Sequence, residues 1–162
     1  MRALMFSIGF ALGMLSASKC YANDIWVSFG GLSIHTTPGF QGFNPALIAD
    51  VRWQSESLGP LNNHGVAAGA YLNSVSRLSA IGCYHNRPWS TVRGEWGRLQ
   101  VGAMACLVNG YPKFRGGEWF PVAVPLVAWQ PSPNVELVPV VLRGAEKDDG
   151  WVFGMTFAAR FK

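Results

Sequence analysis

The sequence predicts an all-β protein: an eight-stranded antiparallel up-and-down transmembrane β-barrel that follows a cleaved signal peptide. Three observations carry that prediction. Charged residues make up only 14% of the 162 positions while aromatics reach 13% and glycines number 19, a composition too apolar for disorder and suited to β structure facing something greasy. Beyond the N-terminal segment no apolar run approaches the roughly 20 residues of a membrane-spanning helix, so any crossing must be made by a closed barrel. The last segment alternates with period two, which places Trp151, Phe153, Met155, Phe157, Ala159 and Phe161 on one face and Val152, Gly154, Thr156, Ala158, Arg160 and Lys162 on the other. A face that apolar, with aromatic rings near both ends, suits lipid.

Residues 1–22 read as a secretory signal: Arg2 gives a charged start, Ala3 to Leu15 is apolar, and "KCYA" supplies a cleavage site after Ala22. Lys19 before Cys20 argues against a lipoprotein signal, which wants a small residue there. Residues 23–162 form one domain, long enough for one core. Removing Arg2 and Lys19 leaves 11 basic against 9 acidic residues, scattered without a stripe, so no nucleic-acid partner is expected.

Strands are expected near 25–36, 46–55, 64–74, 77–86, 97–109, 119–130, 134–143 and 151–161. The pieces between them, "TPGFQGFNP", "SLGPLNN", "SVSR", "NRPWSTVRGE", "YPKFRGGE", "PSPN" and "GAEKDDG", are rich in Gly, Pro, Asn, Ser or charge. With both termini periplasmic, strand one runs outward, strand two inward and strand three outward. His35 and the pair Asn73 and Ser74 therefore meet at the outer rim although some 39 positions separate them. Imidazole can act as a base near neutral pH and a hydroxyl as nucleophile or donor, so a catalytic site is chemically interpretable. "NSVSR" is equally a good hairpin turn. His64 and His85 are expected at the periplasmic end, outside such a site. The three His and the cysteines are too dispersed for a metal cluster, and no cofactor is expected.

The pieces "IHTT", "FNPALIADVRW", "HGVAAGAYLNS", "GRLQVGAMACLVNGY", "FPVAVPLV" and "LVPVVLRG" resemble, in order and spacing, successive strands of the lipid A palmitoyltransferase (PagP) family. The resemblance spans most of the mature chain through short, degenerate motifs. It implies an outer-membrane enzyme of a Gram-negative bacterium that moves an acyl chain from phospholipid to lipid A, with a His after the first strand and an Asp-Ser pair at the top of the third. His35 and Ser74 match. Asn73 stands in place of the Asp, and a neutral amide can orient an imidazole but gives it no compensating charge. Asn73→Asp is accordingly expected to raise activity or leave it unchanged. Pro121, Pro125 and Pro139 resemble the prolines that interrupt strand pairing in the family and open lateral access for lipid. The family also has an amphipathic helix before its first strand, and here only Asn23 to Ile25 separate the cleavage site from strand one, so no clamping helix is expected.

Cys83 and Cys106 belong to a secreted chain, where a disulfide is the default. Pairing residue 86 with about 97 across "NRPWSTVRGE" sets Cys83 near Gln100. The two sulfurs are then about 20 Å apart at 3.3 Å per residue, and two unpaired thiols are expected.

Three function classes follow. The first is an acyltransferase with an acyl chain in the apolar upper lumen, His35 assisting proton transfer and Ser74 engaging the reacting carbonyl. The second is a non-catalytic outer-membrane barrel, phage-encoded or an accessory surface protein. The third is a soluble periplasmic lipid-binding barrel. In the membrane readings the partners are phospholipid and lipopolysaccharide, and the chain is a monomer.

Overall fold

The computed structural model describes residues 24–54, 63–91, 94–112, 115–143 and 150–161. The segment read as a signal peptide lies outside them. Eight strands follow in order: β1 (Asp24–His35), β2 (Phe43–Gln54), β3 (Asn63–Leu72), β4 (Leu78–Ser90), β5 (Arg98–Val108), β6 (Phe120–Ser132), β7 (Val135–Arg143) and β8 (Trp151–Phe161). A three-residue 3-10 turn, Arg115–Gly117, sits between β5 and β6. Each strand pairs antiparallel with the next, and β1 pairs with β8 from Ile25↔Phe161 to His35↔Val152, closing the barrel.

The expected strands are all present, and their ends show why sequence boundaries drift. β2 begins at Phe43 and so includes Pro45, which faces a register shift between Ser28 and Gly30 on β1. Proline is tolerated at a strand start or bulge because the ladder there does not need its N–H. Gly30 makes the bulge possible with φ +129°; a Cβ there would stand 2.7 Å from the Asn44 carbonyl oxygen.

The larger correction concerns β4. "NRPWSTVRGE" is not wholly a turn: β4 continues to Ser90, carrying Pro88 past a register shift between Asn86 and Trp89. The β4–β5 turn therefore lies farther along the chain, and Cys83 pairs with Cys106 rather than with Gln100. The two cysteines form a disulfide with Cα atoms 4.0 Å apart, so the expectation of unpaired thiols is overturned.

Alternation divides the side chains into two sets. The outward set is almost wholly apolar. Across the eight strands it includes one charged residue, Arg143, at the last position of β7. Large side chains stand in the open, Ile34 and Trp89 at 72% and Leu47 at 67%, and Trp151, Phe153, Phe157 and Phe161 of β8 are exposed as the alternation predicts. Aromatic rings collect near both ends: Trp53, Trp89, Trp129 and Phe161 toward the termini, Phe43 and Trp151 toward the other rim.

The inward set has two halves. Toward the rim, Ala67, Cys83, Cys106 and Val108 form a core against which Ile48, Tyr71, Ile81, Met104, Tyr111, Phe120 and Val122 pack. Toward the termini the lumen is ionic. Glu136 accepts both Arg52 Nη1 and Nη2 at 2.8 Å and Arg87 Nη1 at 2.7 Å. Asp50 accepts Arg52 Nε at 2.6 Å and meets His85 Nε2 at 2.9 Å. Gln100 and Gln130 complete the layer, bonding Arg87 and Glu136 at 2.9 Å. Two carboxylates against two guanidiniums leave the layer balanced, and every one of these side chains is buried. Gly65 makes room for the His85 ring; a Cβ there would lie 2.6 Å from Nε2.

Non-reducing peptide mass spectrometry is expected to recover a Cys83–Cys106 cross-link. Replacing both cysteines by serine should lower unfolding stability by about 3 kcal/mol, the loop-closure contribution for their separation of 23 residues.

Candidate functional site at the rim

Strand direction brings His35, at the end of β1, and Asn73 and Ser74, just past β3, to the same end of the barrel. Gln41, from the β1–β2 loop, lies between them. Its backbone N–H donates to the Ser74 carbonyl at 3.0 Å, its Nε2 to the Asn73 carbonyl at 2.7 Å, and its Oε1 accepts the Ser76 hydroxyl at 2.9 Å. On the other side Ser33 Oγ contacts both the Gln41 carbonyl and His35 Nε2 at 3.3 Å and accepts Asn44 Nδ2 at 2.8 Å. If the single Ser33 proton goes to the Gln41 carbonyl, Nε2 of His35 must be the donor in their contact, leaving Nδ1 a lone pair. Nδ1 is buried without a partner, and the ring stacks on Phe40 at 4.4 Å.

Asn73 has a structural occupation. It is 0% exposed. Its Oδ1 accepts the N–H groups of Val75 and Arg77 at 3.0 and 2.9 Å, and its Nδ2 donates to Ser79 Oγ and the Gly110 carbonyl, both at 2.9 Å. Its amide thus shapes the β3–β4 turn and ties it to the start of the β5–β6 loop. The turn is completed by Ser76, which adopts φ +59°. No part of the Asn73 amide is left to orient His35. Beneath it, Tyr71 and Tyr111 share a 3.0 Å hydroxyl contact, and burial raises the Tyr111 pKa above the usual tyrosine value.

His64 and His85 lie elsewhere. His64 points outward, its ring 4.7 Å from Trp53 and Nδ1 3.3 Å from the Tyr84 hydroxyl, and His85 belongs to the ionic layer. Among the described residues no group of three metal-ligating side chains converges.

The three prolines lie on the outer face at one seam. β5 and β6 pair without interruption from Arg98↔Gln130 to Val108↔Phe120, whereas β6 and β7 pair only at Trp129↔Leu137 and Ser132↔Val135. Extending that register toward the rim sets Pro139 opposite Val127 and Pro125 opposite Val141, and neither proline has an N–H to give; Pro121 lies farther along β6.

Sequence reasoning missed Gln41, hidden in a Gly- and Pro-rich loop, and the ionic layer. The second had a readable signal: Asp50 and Arg52, and His85 and Arg87, are each two apart and so share a face.

No family model matches the chain, and no curated protein matches it. Among solved structures, that of Ail, the attachment invasion locus protein of Yersinia pestis, in complex with the heparin analogue sucrose octasulfate, aligns over 85% of this chain and 97% of that one, at 15% identity and a TM-score of 0.31. A likeness that loose says nothing about the chemistry of this chain.

Asn73→Asp, which the resemblance leads one to expect to raise activity or leave it unchanged, also acts on the turn that the amide holds. A carboxylate would turn an oxygen toward the Gly110 carbonyl where Nδ2 now donates. Asn73→Asp is therefore expected to destabilise the protein by about 1 to 3 kcal/mol in denaturant unfolding at neutral pH.

Proposed function

We propose that this chain is a small outer-membrane barrel protein of a Gram-negative cell, its outer face in contact with phospholipid and lipopolysaccharide. One observation carries this reading: the strands' outward positions are almost wholly apolar, with His64 and Asn86 the polar exceptions on β3 and β4, one charge, Arg143, at a strand end and aromatic rings near both ends. In water that surface would be an aggregation hazard, while in a bilayer it is the required solvent interface. A soluble lipid carrier would reverse the pattern, placing its aromatics inside around a ligand. The closed β1–β8 pairing leaves no free sheet edge at the chain ends, so a monomer suffices.

A second reading, acyl transfer from phospholipid to lipid A, is favoured by the β6–β7 seam, where Pro125 and Pro139 stand at the missing rungs and lipid could enter sideways. The rim chemistry supports it less well. Ser33, not Ser74, contacts the His35 imidazole, Asn73 is consumed by its turn, and the upper lumen where an acyl chain would lie holds a packed cluster. The non-catalytic barrel is therefore preferred.

Phe157→Asp, on the outward face of β8, should prevent assembly, since a charge near the bilayer midplane costs about 2 to 4 kcal/mol, somewhat less for an acid. Wild type should fractionate with outer membranes and show heat-modifiable gel mobility; normal folding and soluble recovery of Phe157→Asp would argue for the periplasmic carrier. Lipid A from cells expressing the chain should show no added acyl mass. A gained acyl mass that disappears in both His35→Ala and Ser74→Ala would establish the second reading.

A further inference from the structure

At the opposite end of the barrel, where β1 begins and β8 ends, a cavity of about 350 Å³ opens into the lumen. It is lined by Asp24 and Trp26 from the start of β1, Arg52 from β2, Arg98 and Gln100 from β5, and Arg160 from β8. Two of its acceptor-bearing side chains, Asp24 and Gln100, are already engaged. Asp24 pairs with Arg160, and Gln100 Oε1 accepts Arg87 at 2.9 Å and Gln130 at 3.3 Å. Arg52 is matched deeper in the lumen by Asp50 and Glu136.

Its donors are not. Trp26 is 2% exposed, and its indole Nε1–H meets no acceptor. The ring is held in place by the Arg52 guanidinium, 4.4 Å above its centre. Arg160 Nε is likewise buried without an acceptor. Arg98 donates to the neutral Ser90 hydroxyl at 2.8 Å, and among the described residues no carboxylate pairs with it. Among the described residues, the mouth therefore presents two buried N–H donors without acceptors and, in Arg98, a guanidinium without a carboxylate. A buried donor without an acceptor is costly, and a ligand rich in acceptors relieves that cost.

We propose that this cavity binds a phosphate group, with Trp26 Nε1, Arg160 Nε and the Arg98 guanidinium as its donors. Guanidinium groups fit phosphate oxygens through parallel N–H contacts, and the indole adds a donor that carries no charge. The volume is several times the roughly 30 Å³ share of a water molecule, enough for a phosphate with part of its hydration shell. The phosphate can belong to a dissolved anion or to a phospholipid headgroup reaching over the rim. The site is independent of the His35 rim and of whether the barrel catalyses anything.

The test uses the folded protein labelled with 15N-tryptophan in a sugar-headgroup detergent. The Trp26 Nε1–H resonance is identified by its loss in Trp26→Phe, which keeps a ring beneath Arg52. Inorganic phosphate at constant ionic strength should shift that resonance saturably, and Arg98→Gln should raise the midpoint about tenfold, as expected for loss of a charge-assisted contact. Saturation by dissolved phosphate identifies a soluble ligand. A shift only when short-chain phosphatidic acid is mixed into the micelle identifies a headgroup, and either result supports the site. A Trp26 resonance that responds to neither, that moves equally with chloride, or whose midpoint is unchanged in Arg98→Gln overturns it.

Discussion

Closure of β1 onto β8 is the constraint from which the rest of the molecule follows. Once eight strands form a ring, each strand residue has one of two destinations, a narrow interior or the outside, and its parity along the strand decides which. The apolar residues take the outside here, inverting a water-soluble globule. The polar residues are then driven into the lumen, where water is scarce and partners must be supplied by other strands. The ionic layer is the result: Asp50 and Arg52 come from β2, His85 and Arg87 from β4, Gln100 from β5, Gln130 from β6 and Glu136 from β7.

Glu136 is the hub of that layer. Removing one member of a buried ion pair is far more damaging than replacing the whole pair by apolar groups, because the survivors keep their charge and lose their solvation. Glu136 serves two arginines from two different strands, so its carboxylate links β2 and β4 to β7 across the interior. Glu136 lies between the two β6–β7 rungs, Trp129↔Leu137 and Ser132↔Val135, so its cross-lumen bonds anchor β7 at the end where backbone pairing is present, and the unpaired stretch begins beyond it toward the rim. The apolar half of the lumen has a counterpart in the Cys83–Cys106 link.

Much of the architecture was legible because period-two alternation is a strong local signal. β8 displays it over its whole length, and the face assigned to Trp151, Phe153 and Phe157 is the face they occupy. Topology also placed His35, Asn73 and Ser74 at one rim, with Gln41 between them. The hydrogen bonding there was not legible. Asn is at home both in a catalytic cleft and in a turn, and only the positions of Ser79 and Gly110, which depend on the whole barrel, show that its amide serves the turn. The β4 boundary failed for a related reason: Pro88 and "STVRGE" carry every local mark of a loop, and a bulge let the strand continue through the proline.

The disulfide has a meaning beyond cross-linking. Sliding one strand past another by an even number of residues leaves every side chain on its proper face, so hydrophobic patterning alone cannot tell such alignments apart. Setting Cys83 beside Gln100 is an error of that kind: it is six residues from the true partner, and both candidates point inward. The nascent β4–β5 hairpin faces the same ambiguity. A covalent bond between Cys83 and Cys106 admits one alignment out of the even-numbered series, and so acts as an address mark that the periodic code lacks.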